Sequence, residues 1–306
     1  YSKDVGTPVD YVAPSFALQD ITKLPKYRSI NTKEHGARFW WVEYGGSLDT
    51  IHDSETIKWE LWKIVYGIWN YIKNSGEFPD ARNLTLEWVG TIPGKRESRR
   101  FEGDYILKQS DLVERRVFDD AVSYGGWAID LHPEDAIYKD LPSCNQWHSK
   151  GSYHIPYRCF YSRNIENLFL AGRIISASHV AFGSTRVMAT CAHGGQVVGM
   201  AAAHCVAGGL HPRDLLESAR MKDLQTALNR EGQAIPGVPM EEAGNLVSSA
   251  RIEASSCDRL DTIPFDGGPW YSLEHAAAQL LPLKCGVAYQ FEIEVNWIDE
   301  TNMDLL

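Results

Sequence analysis

None of the six cysteines in this 306-residue chain stands in a C-x-x-C pair. That absence excludes ferredoxin-type clusters, zinc ribbons and thioredoxin-like dithiols, which depend on the spacing. No metal site is expected. Cations are in deficit as well: 30 Lys and Arg face 40 Asp and Glu, a net charge of −10. A chain with that balance lacks the basic face that holds nucleic acid or an anionic membrane, and neither is expected as a partner. Nor is there an uninterrupted apolar run of the roughly 20 residues that a membrane span needs. The nearest candidate begins at Thr185, carries Arg186 at its start and is broken by His193, Gln196 and His204; such groups are expensive at mid-bilayer. No two of the 25 glycines stand two apart, so the G-x-G-x-x-G turn of a dinucleotide-binding unit is missing.

What is present is the composition of an ordinary globular protein, 44 % hydrophobic and 23 % charged, long enough for two domains. Its most informative stretch runs from Asn167 to Gly209. Leu168-Phe169-Leu170-Ala171 is a short apolar run closed by Gly172-Arg173, which reads as a buried strand. A polar loop follows. From about Thr185 an Ala-, Val- and Met-rich segment predicts a helix stopped by Gly208-Gly209. Gly195, Gly199 and Ala203 recur every four residues on one face, smooth enough for close approach of a sheet or a flat ligand. Tight helix packing explains that spacing equally well. Cys191 and Cys205 lie within the segment as small apolar fillers.

N-L-F-L-A-G-R followed by A-F-G-S-T-R-V-M-A-T-C-A-H-G-G-Q-V-V-G-M-A-A-A resembles the C-terminal flavin-contacting signature of a family of FAD-dependent oxidoreductases with a glutathione-reductase-like FAD fold. The resemblance implies FAD as cofactor. It implies contacts from Ala171, Gly172 and Arg173 at the strand end and from Gly183, Ser184, Thr185 and Arg186 at the helix start. A helix amino end carries about half a positive charge, which would stabilise the anion that develops on the pyrimidine edge of the ring upon reduction. Set against the missing glycine turn, three explanations stay open: the chain is a fragment, a separate chain supplies the N-terminal FAD-domain segment, or the resemblance misleads.

Upstream, Arg38 to Gly46 (R-F-W-W-V-E-Y-G-G) reads as a strand ending at a glycine turn, and W-W-V-E-x-G-G resembles a segment of the same family. Asp53 to Asn74 carries Ile57, Leu61, Ile64, Val65, Ile68, Trp69 and Ile72 at the spacing of one helical face, with Ser75-Gly76 as its stop. Residues 84–89 alternate as a strand. Lys95-Arg96-Glu97-Ser98-Arg99-Arg100 packs four cations into six residues of an acidic chain. A solvated face is the plain reading. The family resemblance of G-K-R-E-x-R-R instead implies that Arg96, Arg99 and Arg100 face the flavin or an anionic substrate group, as suits bidentate arginine. Phe101 to Leu107 predicts a strand, Ser110 to Ser123 a helix, and Trp127 to Ile129 the entry to another strand.

Asp130 and His132 stand two apart, on one side of an extended chain. A carboxylate beside an imidazole raises its pKa and fixes its tautomer, which serves general acid/base catalysis as well as structural hydrogen bonding. Y-x-I-P-Y-R precedes the last FAD strand in the family as well, and brings His154 and Arg158 near the flavin as candidate substrate contacts. His179 lies in the loop before the flavin helix. His132, His154 and His179 are thus the candidate bases, with Asp130 as partner.

After Gly209, His211 to Asn229 predicts an amphipathic helix and residues 232–239 a linker. From about Leu246 short apolar runs alternate with turns, and Val287 to Trp297 alternates as a one-sided strand. The expected fold is α/β: part of an FAD/NAD(P)-binding Rossmann-like fold with a mixed α+β substrate domain, plus a small C-terminal β-sandwich-like module. Residues 1–155 form the substrate-binding cap, 156–232 the returning FAD-domain strand and helices, and 240–306 the β-rich module. The expected activity is hydride transfer from a small, carbohydrate-like substrate to flavin N5. The alternatives are a flavin-free carbohydrate- or partner-binding protein on a degenerate scaffold, and a redox-neutral flavin-assisted elimination.

Overall fold

The computed structural model describes residues 2–32, 41–239, 246–251, 253 and 288. The chain divides into two compact units, Tyr1–Ser249 and Ala250–Leu306. Most of the expected β-rich module, all but residue 288 of the strand at Val287 to Trp297, and the first three residues of the Arg38–Gly46 run lie outside the described residues. Helices and strands are mixed in the first unit, as in an α/β chain. Its sheets, however, are three antiparallel pairs, and among the described residues no parallel sheet forms.

Two cores build this unit. The first gathers around α1 (Ser54–Asn74), whose buried residues Ile57, Ile64, Ile68, Trp69 and Ile72 repeat at helical spacing. Asp53 is the N-cap residue, and Gly76 turns the chain away at φ +85°. Ile64, Ile68, Trp69 and Ile72 pack against Ile21, Leu24, Ile30, Trp41 and Ile137. Gly67 lets Leu18 approach so closely that a Cβ there would meet the Leu18 carbonyl oxygen at 2.7 Å. β1 (Ser2–Asp4) and β2 (Leu84–Leu86) pair in the register Ser2↔Leu86. Trp41 to Tyr44 form no strand: the segment is irregular, and its Trp41 ring is buried in this core.

The second core extends from Leu107 to Ile235. α2 (Gln109–Val113) is capped by Asp111, which accepts the Lys108 N–H at 3.0 Å and the Tyr105 hydroxyl. The longer helix expected to Ser123 does not form. Arg115 enters the left-handed region at φ +51°, and Ala121–Gly125 becomes β3. Its Ala121 and Val122 are fully buried and the strand pairs with β6 (Tyr153–Pro156), a tertiary gain that overrides local helix preference. β4 (Ile129–Leu131) pairs with β5 (Asn145–Trp147).

Phe101–Leu107 and Leu168–Ala171 form no strand and contribute only isolated bridges, Leu107↔Ala177 and Tyr161↔Phe169. Leu170 is nevertheless buried and donates its N–H to Phe160 O at 2.7 Å. The single helix expected from Thr185 is two: α3 (His179–Thr185) and α4 (Met188–Gly208), separated by Arg186 and an extended Val187. α3 packs on β4 and α4 on β3, and the break lets each follow its own strand. Gly209 closes α4 in the left-handed conformation that glycine adopts without strain. A 3₁₀ turn (Pro212–Leu216) and α5 (Ser218–Arg230) replace the single helix expected at 211–229. Among the described residues no helix is long and apolar enough to cross a membrane.

Candidate functional site

Four stretches far apart in sequence meet around His132. β4 carries Asp130 and leads into His132, and β5 holds it in the register Asp130↔Gln146. The irregular segment after Trp41 brings Glu43. It is pinned by Ile137 N donating to Glu43 O at 3.2 Å and by Asp135, whose carboxylate accepts the Gly45 N–H at 2.9 Å and the Ser47 hydroxyl at 2.8 Å. The basic run brings Arg96, and the break between α3 and α4 brings Arg186. Arg186 arrives because Gly183 lies against β4: a Cβ there would meet the Asp130 carbonyl oxygen and the Leu131 side chain at 3.0 Å.

The side chains form one charge network. His132 Nδ1 lies 2.8 Å from Glu43 Oε2, and His132 Nε2 lies 3.4 Å from Asp130 Oδ2. Arg96 pairs with Glu43 Oε1 and also reaches both ring nitrogens, Nη1 to Nε2 at 3.2 Å and Nη2 to Nδ1 at 3.1 Å. Arg186 donates to Asp130 Oδ2 at 2.8 Å. Two arginines and two carboxylates thus balance around one imidazole. Burial, and then the Arg96 charge, holds the His132 pKa below the ordinary histidine value, with Asp130 pulling the other way. Beside Asp130, burial and that carboxylate push the Cys144 thiol up.

The rest of the basic run is held by the Ala171–Arg173 turn. Arg173 donates to Lys95 O at 2.7 Å and to Arg96 O at 3.3 Å, so two motifs read separately in the sequence touch. Arg100 pairs with Glu97, whose other oxygen lies 2.8 Å from Nδ1 of the exposed His179. Arg99 is exposed, with no hydrogen bond or ion pair among the described residues.

Two candidates lie apart from this network. His154, buried on β6, accepts the Phe118 N–H at Nδ1 (3.3 Å) and faces Pro236 O through Nε2 at 2.7 Å. A carbonyl only accepts, so Nε2 carries the proton and both nitrogens are engaged. Arg158 forks onto Asp120 at 2.9 and 3.0 Å and lies over the Tyr105 ring. Both are tied to partners within the fold.

The residues expected at the cofactor divide in the same way. Gly183, Ser184 and Thr185 are buried inside the chain: the Ser184 hydroxyl donates to Trp127 O at 2.6 Å and meets the Tyr153 hydroxyl at 2.5 Å. Ala171, Gly172, Arg173 and Arg186 keep surface. Gly172 takes φ +67° with nothing within 4 Å of where a Cβ would stand. The amino end of the long helix is at Met188, not Thr185; its N-cap Val187 offers no side-chain acceptor and Met188 is 88 % exposed. The free amides there can receive an electron-rich group. Along α4, Gly194 packs closely: a Cβ there would stand 2.7 Å from the Phe160 ring. Gly195 and Gly199 face open space.

Sequence reasoning missed Glu43 and Glu97. Both sit inside flagged motifs, W-W-V-E-x-G-G and G-K-R-E-x-R-R, where the tryptophans and arginines drew attention. Their signal was an acid in a stretch that resembles the family.

Compared with known proteins, the chain matches the family model described as FAD dependent oxidoreductase over residues 2–228. No curated protein and no solved structure matches it.

Proposed function

The chain belongs to the family of FAD-dependent oxidoreductases, and within it we propose that the His132 network is the catalytic centre for oxidation of a small, uncharged, hydroxyl-bearing substrate. The observation that carries this reading is an imidazole, held neutral by burial and Arg96, ringed by two carboxylates and two arginines. FAD, when bound, supplies the acceptor for a hydride from the substrate carbon. His132 takes the hydroxyl proton that must leave the same carbon's oxygen. A neutral imidazole is the competent form, and its depressed pKa keeps it so at neutral pH.

The arginines serve this base rather than a substrate anion. Each is already ion-paired, Arg96 with Glu43 and Arg186 with Asp130, so an anionic substrate would have to displace a carboxylate from its partner. That balance supports an uncharged substrate. The free amides at the start of α4, the open turn at Gly172 and the surface of Ala171 and Arg173 fit the electron-rich edge of a flavin and would hold it there. Arg173 ties that turn to the Arg96 backbone, and so couples the cofactor-holding stretch to the base.

The test is anaerobic bleaching of the FAD absorbance with a panel of hexoses, polyols and simple secondary alcohols. For a substrate that bleaches the wild type, His132→Gln is expected to slow bleaching by roughly 10²- to 10⁴-fold, with FAD still bound. An unchanged rate would overturn the assignment.

A further inference from the structure

We propose that Glu43 is the positioning residue that sets the tautomer of His132, placing the proton on Nδ1 and the basic lone pair on Nε2. This deepens the reading of His132 as base and rests on it only for its kinetic consequence.

A carboxylate oxygen can only accept, so the nitrogen that faces it closely must carry the hydrogen. Two carboxylates compete for the ring. Glu43 Oε2 stands 2.8 Å from Nδ1, within the usual hydrogen-bond range, whereas Asp130 Oδ2 stands 3.4 Å from Nε2, beyond it. Arg186 tips the balance further. At 2.8 Å it neutralises Asp130 and draws its charge away from the ring. Arg96 faces both nitrogens, Nη1 3.2 Å from Nε2 and Nη2 3.1 Å from Nδ1, so it favours neither tautomer and the choice falls to the carboxylates. With the opposite tautomer, the Nδ1 lone pair would face the Glu43 carboxylate at 2.8 Å, two acceptors in contact. Cys144, beside Asp130, is a further titratable neighbour and lies on the Asp130 side.

The neutral isostere should therefore invert the tautomer rather than merely weaken it. Arg96 pairs with Glu43 Oε1. In Glu43→Gln the guanidinium, which only donates, demands the amide oxygen, and the amide NH₂ is turned toward Nδ1. Nδ1 must then accept, and the proton moves to Nε2.

Nitrogen-15 shifts and long-range nitrogen–proton couplings of the ¹⁵N-histidine-labelled full chain, recorded at pH 8, read this directly. The wild type is expected to show His132 (identified by its loss in His132→Gln) protonated on Nδ1, and Glu43→Gln on Nε2. Wild-type His132 protonated on Nε2, or no change in Glu43→Gln, would overturn the proposal. The spectrum is independent of turnover, so it decides the role of Glu43 even if His132→Gln proves fully active and the base assignment falls. In kinetics, Glu43→Gln is expected to lower flavin bleaching by about 10²-fold or more, while Glu43→Asp recovers part of the rate.

Discussion

Two histidines in this chain, His132 and His154, are each held at both ring nitrogens, yet their surroundings make them different objects. His154 lies between backbone groups, the Phe118 N–H and the Pro236 carbonyl, and neither partner changes charge. His132 lies between ionised side chains from four separate stretches. Backbone partners make a tie that resists change. Ionised partners make a group whose proton affinity is tuned by its neighbours, and tuned affinity is what acid–base chemistry needs. Engagement of both nitrogens is therefore no mark of inertness; the kind of partner is.

The largest expected effect breaks the first side of this comparison. His132→Gln should cost roughly 10²- to 10⁴-fold in flavin bleaching with little change in stability, measured by stopped flow and chemical denaturation on the same preparation. Breaking the other side should do the reverse. His154→Phe leaves two backbone groups without partners, at about 1–3 kcal/mol for each one that stays buried, and bleaching per folded molecule should hold. Denaturation midpoints at constant slope measure the loss.

A pH titration sharpens the contrast. The His132 pKa lies below the ordinary histidine value of 6.5, because burial and Arg96 disfavour its charged form. The rate should thus persist as pH falls through 6.5 and decline only below it. The same sign governs stability. Between the folded and unfolded values the unfolded chain binds more protons, so the folded state loses ground as pH drops below 6.5. An acid limb centred above 6.5 would contradict this.

The two faces of α4 carry the smallest effects and extend the comparison to packing. Gly194→Ala puts a methyl 2.7 Å from the buried Phe160 ring. Overpacking should outweigh the gain in helix propensity, for a net loss of roughly 1–2 kcal/mol. Gly195→Ala, its neighbour in sequence, meets open space and should gain up to about 1 kcal/mol. Thermal melts of the pair read the difference.

These residues show where sequence reasoning reaches and where it stops. α1 was legible to within a residue, because its apolar positions repeat at 3.6 and Gly76 turns the chain away after its end. The Asp130–His132 pair was legible because two residues apart on a strand means one side. The stripe Gly195–Gly199–Ala203 was read correctly as a face, but periodicity cannot say which face is covered; the close approach belongs to Gly194. The break at Val187 was hidden, since each half of the segment favours helix and only packing on different strands separates them.

Local chemistry thus determined where α1 forms and ends, that α4 stops at Gly209, and that an acid and an imidazole share one edge. The family signature added FAD. Only the tertiary structure decided that Glu43, 89 residues from His132, supplies the nearer carboxylate, and that Arg96 and Arg186 arrive already paired. The reason is physical: hydrogen bonds and ion pairs act over about 3 Å, and distances of that order between remote residues are set by the folded cores that bring them together, not by spacing along the chain.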